Sequence, residues 1–318
     1  MYYIGVDLGG TTIKVGLVDE NYKIVERASG PTKAERPQQE ILKDMAMLCK
    51  EVMAKRNLTE KDVHSIGVGS PGKASPAEGI ILFSNNLHFD HVKVRAEIQK
   101  YIQVPVYVEN DANCAALGEV MGGVAQGEKN VVVVTLGTGV GGGIILNGKI
   151  YNGSFCGAGE IGHLVIKWDE EIRCGCGRRG CWEQYASATA LIRQAKVAAK
   201  EHPETQMLAF AQDQALENIN AKNVFDAAHA GDEVALNVLD TYYKYIACGV
   251  ADLINILEPN MIVLGGGMSA QKEYLTEPVI KYVKEEMYGG LQLKTQIKAA
   301  TLGNDAGIIG AALLGTTL

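Results

Sequence analysis

The sequence lacks an apolar run that approaches the ~20 residues needed to span a bilayer, so no membrane role is expected. It also lacks blocks of lysine or arginine, and its net charge of −7 argues against a nucleic-acid surface. No basic leader precedes the first apolar strand, which predicts a cytoplasmic protein without a secretory signal. With 318 residues, the chain is long enough for two α/β domains.

Cysteine is present in an odd number, seven, and three of these residues cluster in a glycine-rich stretch. Together with a histidine upstream, they make the set His163, Cys174, Cys176 and Cys181. Three thiolates and one imidazole complete a tetrahedral zinc site of the structural kind, although Cys-x-Cys is tighter than the usual spacing of two to four residues. Disulfides or buried thiols are the alternative, which a reducing cytosol disfavours. The sequence therefore predicts a structural Zn²⁺ at these four residues.

The amino terminus predicts a β-hairpin with a glycine-rich turn, because apolar strands at 2–8 and 13–18 flank it. The turn reads Asp7-Leu8-Gly9-Gly10-Thr11-Thr12. Its N–H groups and two hydroxyls can surround a phosphate, and Asp7 can reach the accompanying Mg²⁺ through water. The alternative is a hairpin that binds nothing.

A second strand, turn and strand follow at 131–146, with Gly137, Thr138 and Gly139 in the turn. The turn contains G-x-G-x-x-G, but it joins two strands and so is not the dinucleotide fingerprint, which opens a helix. Two similar hairpins suggest two related domains that face a shared nucleotide. A third glycine run, Gly265-Gly266-Gly267, ends a predicted strand at 261–264, where it either admits adenine and ribose or is a bare turn.

Polar residues end two further predicted strands. Gly72 follows the strand at 65–69, and Glu109-Asn110-Asp111 lies between a strand at 104–108 and a helix at 112–121. Ligands of open α/β sheets bind at the carboxyl ends of strands. The alternative for Asn110 or Asp111 is an ordinary helix cap. Other helices are predicted at 37–56, 92–102, 187–200, 223–229, 232–257, 274–288 and from 302 to 314.

Taken together, these motifs resemble those of the ROK family (repressors, open reading frames and kinases), and within it the bacterial glucokinase branch. The motifs run in family order across nearly the whole chain: Asp7-Leu8-Gly9-Gly10-Thr11, Glu109-Asn110-Asp111, residues 136–143, residues 160–183, residues 264–267 and residues 302–307.

This resemblance implies an α/β protein with an actin-like ATPase fold of the hexokinase/Hsp70 type, in which a cleft separates two α/β domains. The smaller domain would comprise residues 1–112 and 303–318, with the last helix returning to it. Residues 113–302 would form the larger domain and carry the zinc loop. Homodimers are common in the family, which implies a homodimer or higher homo-oligomer.

The resemblance also implies ATP-dependent phosphorylation of glucose at its 6-hydroxyl, with Mg²⁺ on the nucleotide. Asp111 would be the catalytic base. The residues that would contact the sugar hydroxyls or line the sugar pocket are Gly72, Asn86, Asn110, Asp111, Glu160, His163 and Glu183. His163 would use one ring nitrogen for zinc and offer the other to the sugar. The family's frequent Asn-Leu-x-Trp is here Asn86-Leu87-His88-Phe89, so the pocket wall differs near Phe89.

Other functions share part of this pattern. Kinases for fructose, mannose, allose or N-acetylmannosamine carry most of the same motifs. A sugar-sensing repressor would carry a DNA-binding segment ahead of the first hairpin, where Asp7 leaves little room. A non-enzymatic actin-like assembly protein would not need the sugar and zinc residues.

Overall fold

The computed structural model describes residues 1–316. Its strands are β1 Tyr2–Leu8, β2 Thr12–Val18, β3 Ile24–Pro31, β4 Val63–Ser70, β5 Lys73–Ser75, β6 Ile80–Ser84, β7 Phe89–Val92, β8 Val106–Asn110, β9 Val131–Leu136, β10 Val140–Leu146, β11 Lys149–Ile150, β12 Met261–Gly265 and β13 Gln296–Ala299. Its α-helices are α1 Gln38–Ala54, α2 Val94–Ile98, α3 Asp111–Gly122, α4 Glu183–Ala186, α5 Ala188–Glu201, α6 Gln206–Ala209, α7 Ala221–His229, α8 Glu233–Leu257, α9 Glu273–Glu285 and α10 Ala306–Ala312.

Two five-stranded sheets repeat one strand order. The first runs β3-β2-β1-β4-β8 and the second β11-β10-β9-β12-β13. In the first sheet β2 is antiparallel to both β1 and β3, while β4 is parallel to β1 and to β8. Each sheet therefore begins with a three-strand meander, and each predicted hairpin is part of one. A third, three-stranded antiparallel sheet contains β5, β6 and β7.

The chain divides into two compact units. Unit 1 comprises Met1–Val133, Gly142–Gly159 and the chain from Ala300 onward. Unit 2 comprises Val134–Gly141 and Glu160–Ala299, so the divisions fall inside β9 and β10. The domain boundaries expected from the sequence stay a prediction.

In unit 1, helix α10 packs very closely on the sheet because glycines face it. A Cβ on Gly5 or on Gly67 would lie 1.8 Å or 1.7 Å from a carbonyl oxygen of α10. On the other side, Gly310 of α10 lies against the backbone of α3, where an added Cβ would be 1.7 Å from the Cys114 oxygen. The small residues of this last helix thus allow backbone-to-backbone packing.

In unit 2, the long helix α8 is a core element, as its apolar spacing predicts. Asp232 caps its start by accepting the Ala235 N–H at 2.8 Å. The fully buried Trp182 donates its indole N–H to the Tyr245 carbonyl at 2.7 Å, and its ring fills the space that Gly249 leaves open. This packing fixes the chain on either side of Trp182.

Two local predictions differ from the structure. The helix expected at 92–102 is only Val94–Ile98, because Val92 pairs with Ile81 at the end of β7. Strand β3 was not predicted, since its residues lack a clear alternation of buried and exposed positions. Within residues 1–316, no helix combines the length and hydropathy that a membrane span requires.

Candidate active site

The β8–α3 junction (residues 109–113) presents Asp111 in the first turn of a helix. Asn110 is the N-cap, and its side-chain oxygen accepts the N–H groups of Ala112 and Asn113 at 2.9 and 3.2 Å. One oxygen of Asp111 accepts the Ala112 N–H at 2.9 Å, and the residue is half-buried. The positive end of the helix dipole favours the ionised carboxylate at this position. The interpretation as a helix cap is therefore correct for Asn110. Asp111 is the carboxylate in the first turn of the helix and the candidate for contact with a substrate.

Gly72 is positioned to hold the cap residue. Its carbonyl accepts the Asn110 amide N–H at 3.0 Å. Its φ is +96°, and an added Cβ would lie 2.2 Å from the Phe83 oxygen, so only glycine fits. The structure thus brings two predicted sugar-pocket residues together, while a third, Asn86, lies against Gly10 of the first hairpin.

Glu109, the first residue of the junction, is a buried carboxylate that is 3% exposed. It accepts the Asn110 N–H at 2.7 Å, the Asn113 amide at 3.0 Å and the Asn152 amide at 2.9 Å. Burial raises the pKa of Glu109, and these three donors oppose that shift. Glu109, Asn113 and Asn152 are called the Glu109 network below.

The first hairpin turn is held by its own backbone and by Thr32. The Gly9 N–H donates to the Thr12 carbonyl at 3.0 Å. The buried Thr32 donates its hydroxyl to the Gly9 carbonyl at 2.6 Å and its N–H to the Thr11 carbonyl at 2.9 Å. Asp7, on the adjoining strand, pairs with Lys14 at 3.3 Å. Thr11 is exposed and Thr12 is half-buried in this turn.

The second hairpin turn lies in unit 2 and is held by α5. Gly137 accepts the Ala188 N–H, and Thr138 accepts the Thr189 hydroxyl, each at 2.8 Å. The Val140 N–H donates to Glu183 at 3.1 Å. A Cβ on Gly139 would lie 2.3 Å from that same carboxylate, so this glycine admits Glu183.

The third glycine run meets the strand that leads into this turn. Gly266 has a φ of +75°, and an added Cβ would lie 2.5 Å from the Leu136 oxygen. The Ser269 hydroxyl donates to the Gly266 carbonyl at 2.8 Å. Gly265 ends β12 and Gly267 starts a short 3-10 helix. Unit 2 therefore places the second and third predicted nucleotide segments side by side.

The predicted metal ligands converge in the segment of residues 160–183, called the ligand segment below. The ligand atoms of His163, Cys174, Cys176 and Cys181 all lie within 4.8 Å of one another. Cys174 Sγ is 3.6 Å from His163 Nδ1, and Cys176 Sγ is 3.6 Å from Cys181 Sγ. Metal–ligand bonds of 2.0–2.3 Å at tetrahedral angles give edges of about 3.6–3.8 Å, so the four atoms fit one ion.

A disulfide does not explain these distances, because its sulfur atoms lie about 2.05 Å apart. All seven cysteines are free thiols. Burial raises the pKa of Cys181 to about 12. Burial also acts on Cys176, but the Arg178 N–H and the neighbouring thiols lower its pKa below the usual value. A bound cation would supply the charge that three thiolates need in this confined space.

The loop between the first and second ligands is tied to α4 by Glu170. This carboxylate accepts the Tyr185 hydroxyl at 2.6 Å and the N–H groups of Glu171 and Ile172 at 2.8 and 3.2 Å. The Tyr185 bond, followed by the two N–H groups, lowers the pKa of Glu170 to about 2. Glu170 is therefore ionised over the whole neutral range, and the loop stays attached to the helix that carries Glu183.

Sequence reasoning missed the residues that position the predicted ones. Thr32, Asn113, Asn152 and Tyr185 bind their partners from sites that are distant in sequence or carry no motif. Only Glu109 had a local signal, a carboxylate directly before Asn110-Asp111 at the end of a strand. Nothing in the sequence alone connects it with Asn152.

Comparisons with known proteins place these features in a family. The model of the ROK family matches residues 3–317. The glucokinase of Halalkalibacterium halodurans is 36% identical over 313 residues, covering 98% of this chain and 94% of the relative. The glucokinase of Thermotoga maritima is 36% identical, covering 97% and 95%. A Streptomyces griseus ROK glucokinase, solved with glucose and AMPPNP, is 36% identical with a TM-score of 0.84, covering 99% of both chains. These similarities confirm the predicted actin-like ATPase fold.

Proposed function

This chain belongs to the ROK family, and from that premise we propose that it transfers the γ-phosphoryl group of ATP to the 6-hydroxyl of glucose. The products are glucose 6-phosphate and ADP. The observation that carries this proposal is the similarity, over 99% of both chains, to a glucokinase solved with glucose and AMPPNP. The enzyme is thus a phosphotransferase with an alcohol as acceptor.

Asp111 is the catalytic base in this proposal. Its place in the first turn of α3 puts the carboxylate in the positive field of the helix dipole, and one of its oxygens accepts the Ala112 N–H. The carboxylate accepts the proton of the 6-hydroxyl as the hydroxyl oxygen attacks phosphorus. Phosphoryl transfer otherwise requires alignment and charge neutralisation, which makes the base and the phosphate-binding turns the main catalytic parts.

The nucleotide is held by the two hairpin turns and the third glycine run. Backbone N–H groups and the hydroxyls of Thr11, Thr12 and Thr138 bind the phosphates, and the glycines at 265–267 admit the adenine and ribose. Mg²⁺ bound with the ATP neutralises phosphate charge. Asp7, whose carboxylate pairs with Lys14 at 3.3 Å, would reach that ion through a water molecule.

In this proposal the sugar is bound by carboxylates, amides and an imidazole that were predicted from the sequence. They belong to Asn86, Asn110, Glu160, His163 and Glu183, and Gly72 lines the same pocket. His163, Cys174, Cys176 and Cys181 would hold a structural Zn²⁺, which would fix the imidazole so that its second ring nitrogen can donate to a sugar hydroxyl. A carboxylate aimed at a hydroxyl rejects a sugar in which that hydroxyl is missing or inverted.

The larger organisation follows the family in this proposal. Residues 1–112 and 303–318 form the smaller domain and residues 113–302 the larger. The protein acts as a homodimer or higher homo-oligomer, with a hexose and ATP as its partners and without nucleic acid or membrane. Thiolate ligands to zinc require reduced cysteines, which supports a cytoplasmic location.

A panel of hexoses tests the proposal. ADP formation from ATP is followed by a coupled assay with glucose, fructose, mannose, allose and N-acetylmannosamine as acceptors. We expect glucose to give the highest kcat/KM, with the phosphate on its 6-hydroxyl. A higher kcat/KM for another hexose would reassign the acceptor, and an absence of hexose-dependent ADP formation would remove the kinase function itself.

A further inference from the structure

The Glu109 network has no assigned role in the reaction just proposed, yet it contains the most deeply buried carboxylate of the β8–α3 junction. Glu109 is 3% exposed, and amide donors surround it. A buried charge that is satisfied only by amides is sensitive to any change in their orientation. Its place directly before Asn110 and Asp111 suggests more than packing.

The carboxylate fixes the orientation of both asparagine amides. The Asn113 amide N–H₂ donates to Glu109 Oε1 at 3.0 Å and to Asn152 Oδ1 at 2.9 Å. The Asn152 amide N–H₂ donates to Glu109 Oε2 at 2.9 Å. Within residues 1–316 the Asn113 oxygen is buried without a hydrogen-bond partner. That unpaired oxygen is the consequence of an amide whose nitrogen must face Glu109.

The network joins the segment that carries Asp111 to the segment that leads into Glu160. On one side, Glu109 Oε1 accepts the Asn110 N–H at 2.7 Å, one residue before Asp111. On the other side, Asn152 belongs to the chain of residues 151–159, which leads directly into Glu160. The Ala158 N–H donates to the Asn152 carbonyl at 3.1 Å, so the network also fixes the end of that loop.

We propose that Glu109 is a positioning residue for phosphoryl transfer, whose carboxylate holds the Asp111 turn in register with the loop that leads into Glu160. The proposal rests on the proposed kinase function. Glu109 does not touch the substrate. It acts through Asn110 on the base and through Asn152 on the loop.

The isosteric variant Glu109→Gln tests the role because a single amide cannot satisfy the network. The side-chain nitrogen of Gln, in the place of Glu109 Oε2, would face the Asn152 nitrogen, which is also a donor. If the Asn152 amide turns to accept, its nitrogen then faces that of Asn113. If Asn113 also turns, its oxygen faces the oxygen of Gln. Because a shift of about 1 Å in a catalytic group costs up to about 10²-fold, we expect kcat to fall by about 10- to 100-fold. The KM for ATP should stay unchanged.

The double variant Glu109→Gln/Asn152→Asp is the matched control. The Gln nitrogen then donates to Asp, whose second oxygen accepts from Asn113, and the Gln oxygen keeps the donors of Glu109 Oε1. Every donor again faces an acceptor, and the negative charge has moved from position 109 to position 152. We expect the double variant to recover most of the wild-type kcat. Activities are compared well below each variant's unfolding midpoint, so a loss of global stability alone leaves kcat unchanged.

The outcomes separate this inference from the function on which it rests. Wild-type protein without hexose-dependent ADP formation overturns both. Active wild-type protein and an equally active Glu109→Gln overturn the inference alone, as does a double variant that recovers the unfolding midpoint but not kcat. If Glu109→Gln does not fold, Asn152→Ala, at a half-buried loop position, replaces it. A lower kcat at constant KM for ATP supports the inference, and a wild-type kcat overturns it.

Discussion

The β8–α3 junction and the ligand segment hold their functional side chains in two different ways. The junction uses regular structure: a strand end, a capped helix and the buried Glu109 network fix Asp111 within a few residues. The ligand segment has a short 3-10 helix at Ile161–His163 and two isolated bridges, and little other regular structure before Glu183. Its ligand atoms nevertheless lie within 4.8 Å of one another.

This difference indicates what each region needs from its surroundings. A helix start gives a carboxylate a favourable field and a fixed direction, so the junction suits a base whose protonation must be controlled. A long irregular loop loses much conformational entropy when it is ordered. A metal ion bound by the four candidate ligands would add stabilisation to that of the hydrogen bonds within the segment, such as those of Glu170. Loss of the metal should therefore disturb sugar binding, while changes at the junction should disturb turnover.

The largest expected effect is that of Asp111→Asn on turnover. The amide oxygen can still accept the Ala112 N–H, so the helix start should remain intact. The base is lost, and kcat should fall by about 10²–10⁴-fold. Steady-state kinetics measure kcat, and calorimetric titration with glucose checks that sugar binding persists. A kcat close to that of the wild type would show that Asp111 is not the base.

Removal of the metal should affect sugar binding and stability rather than turnover. Chelation, or Cys176→Ala, should lower the unfolding midpoint and raise the KM for glucose by about 10-fold, equivalent to about 1.4 kcal/mol. Cys176 is exposed, so its truncation would cost little without a metal. Metal content by mass spectrometry and initial rates measure the outcome.

Cys248→Ala is the matched control for the metal variant. Cys248 lies in α8 of the same unit, is half-buried and is outside the cluster. It should retain the metal and the KM for glucose. If verified metal removal leaves that KM unchanged, the metal does not position the sugar contacts.

The two regions also differ in how far the sequence predicted them. The candidate ligands could be selected because Cys-x-Cys and its glycines are a local pattern, whereas Asp111 at a strand end stayed open between a helix cap and a substrate contact until the family resemblance implied a base. The duplicated hairpins suggested two related domains, and the structure shows in addition that the two sheets repeat one strand order. The Glu109 network, Thr32 and the Glu170–Tyr185 bond were not predictable. Each depends on tertiary contacts, such as that between Asn113 and Asn152, 39 positions apart.

Gly139→Ala tests whether a hairpin turn positions Glu183, the residue at the end of the ligand segment. Gly139 lies in the second hairpin turn, and its substitution would displace the Glu183 carboxylate. The new Cβ would lie 2.3 Å from that carboxylate and displace it from the Val140 N–H. Loss of one such bond costs about 1–2 kcal/mol, so the KM for glucose should rise by about 5- to 30-fold. Gly137→Ala meets no atom within 4 Å and should leave this KM unchanged. Equal KM values for glucose in both variants would mean that Glu183 does not bind the sugar.

The smallest effect is expected at the first hairpin, where hydrogen bonds hold the turn much as they hold the junction. Thr32→Val keeps the shape of the side chain but removes the donor to the Gly9 carbonyl. One neutral hydrogen bond contributes about 1 kcal/mol, so the KM for ATP should rise by about 5-fold. Thr32→Ser keeps the hydroxyl and serves as the control. The KM for glucose should not change in either variant, because the hydrogen bonds of Thr32 join it to the turn residues Gly9 and Thr11 and to the Arg36 side chain. A rise in the KM for glucose without one for ATP would mean that the turn serves the sugar rather than the phosphates.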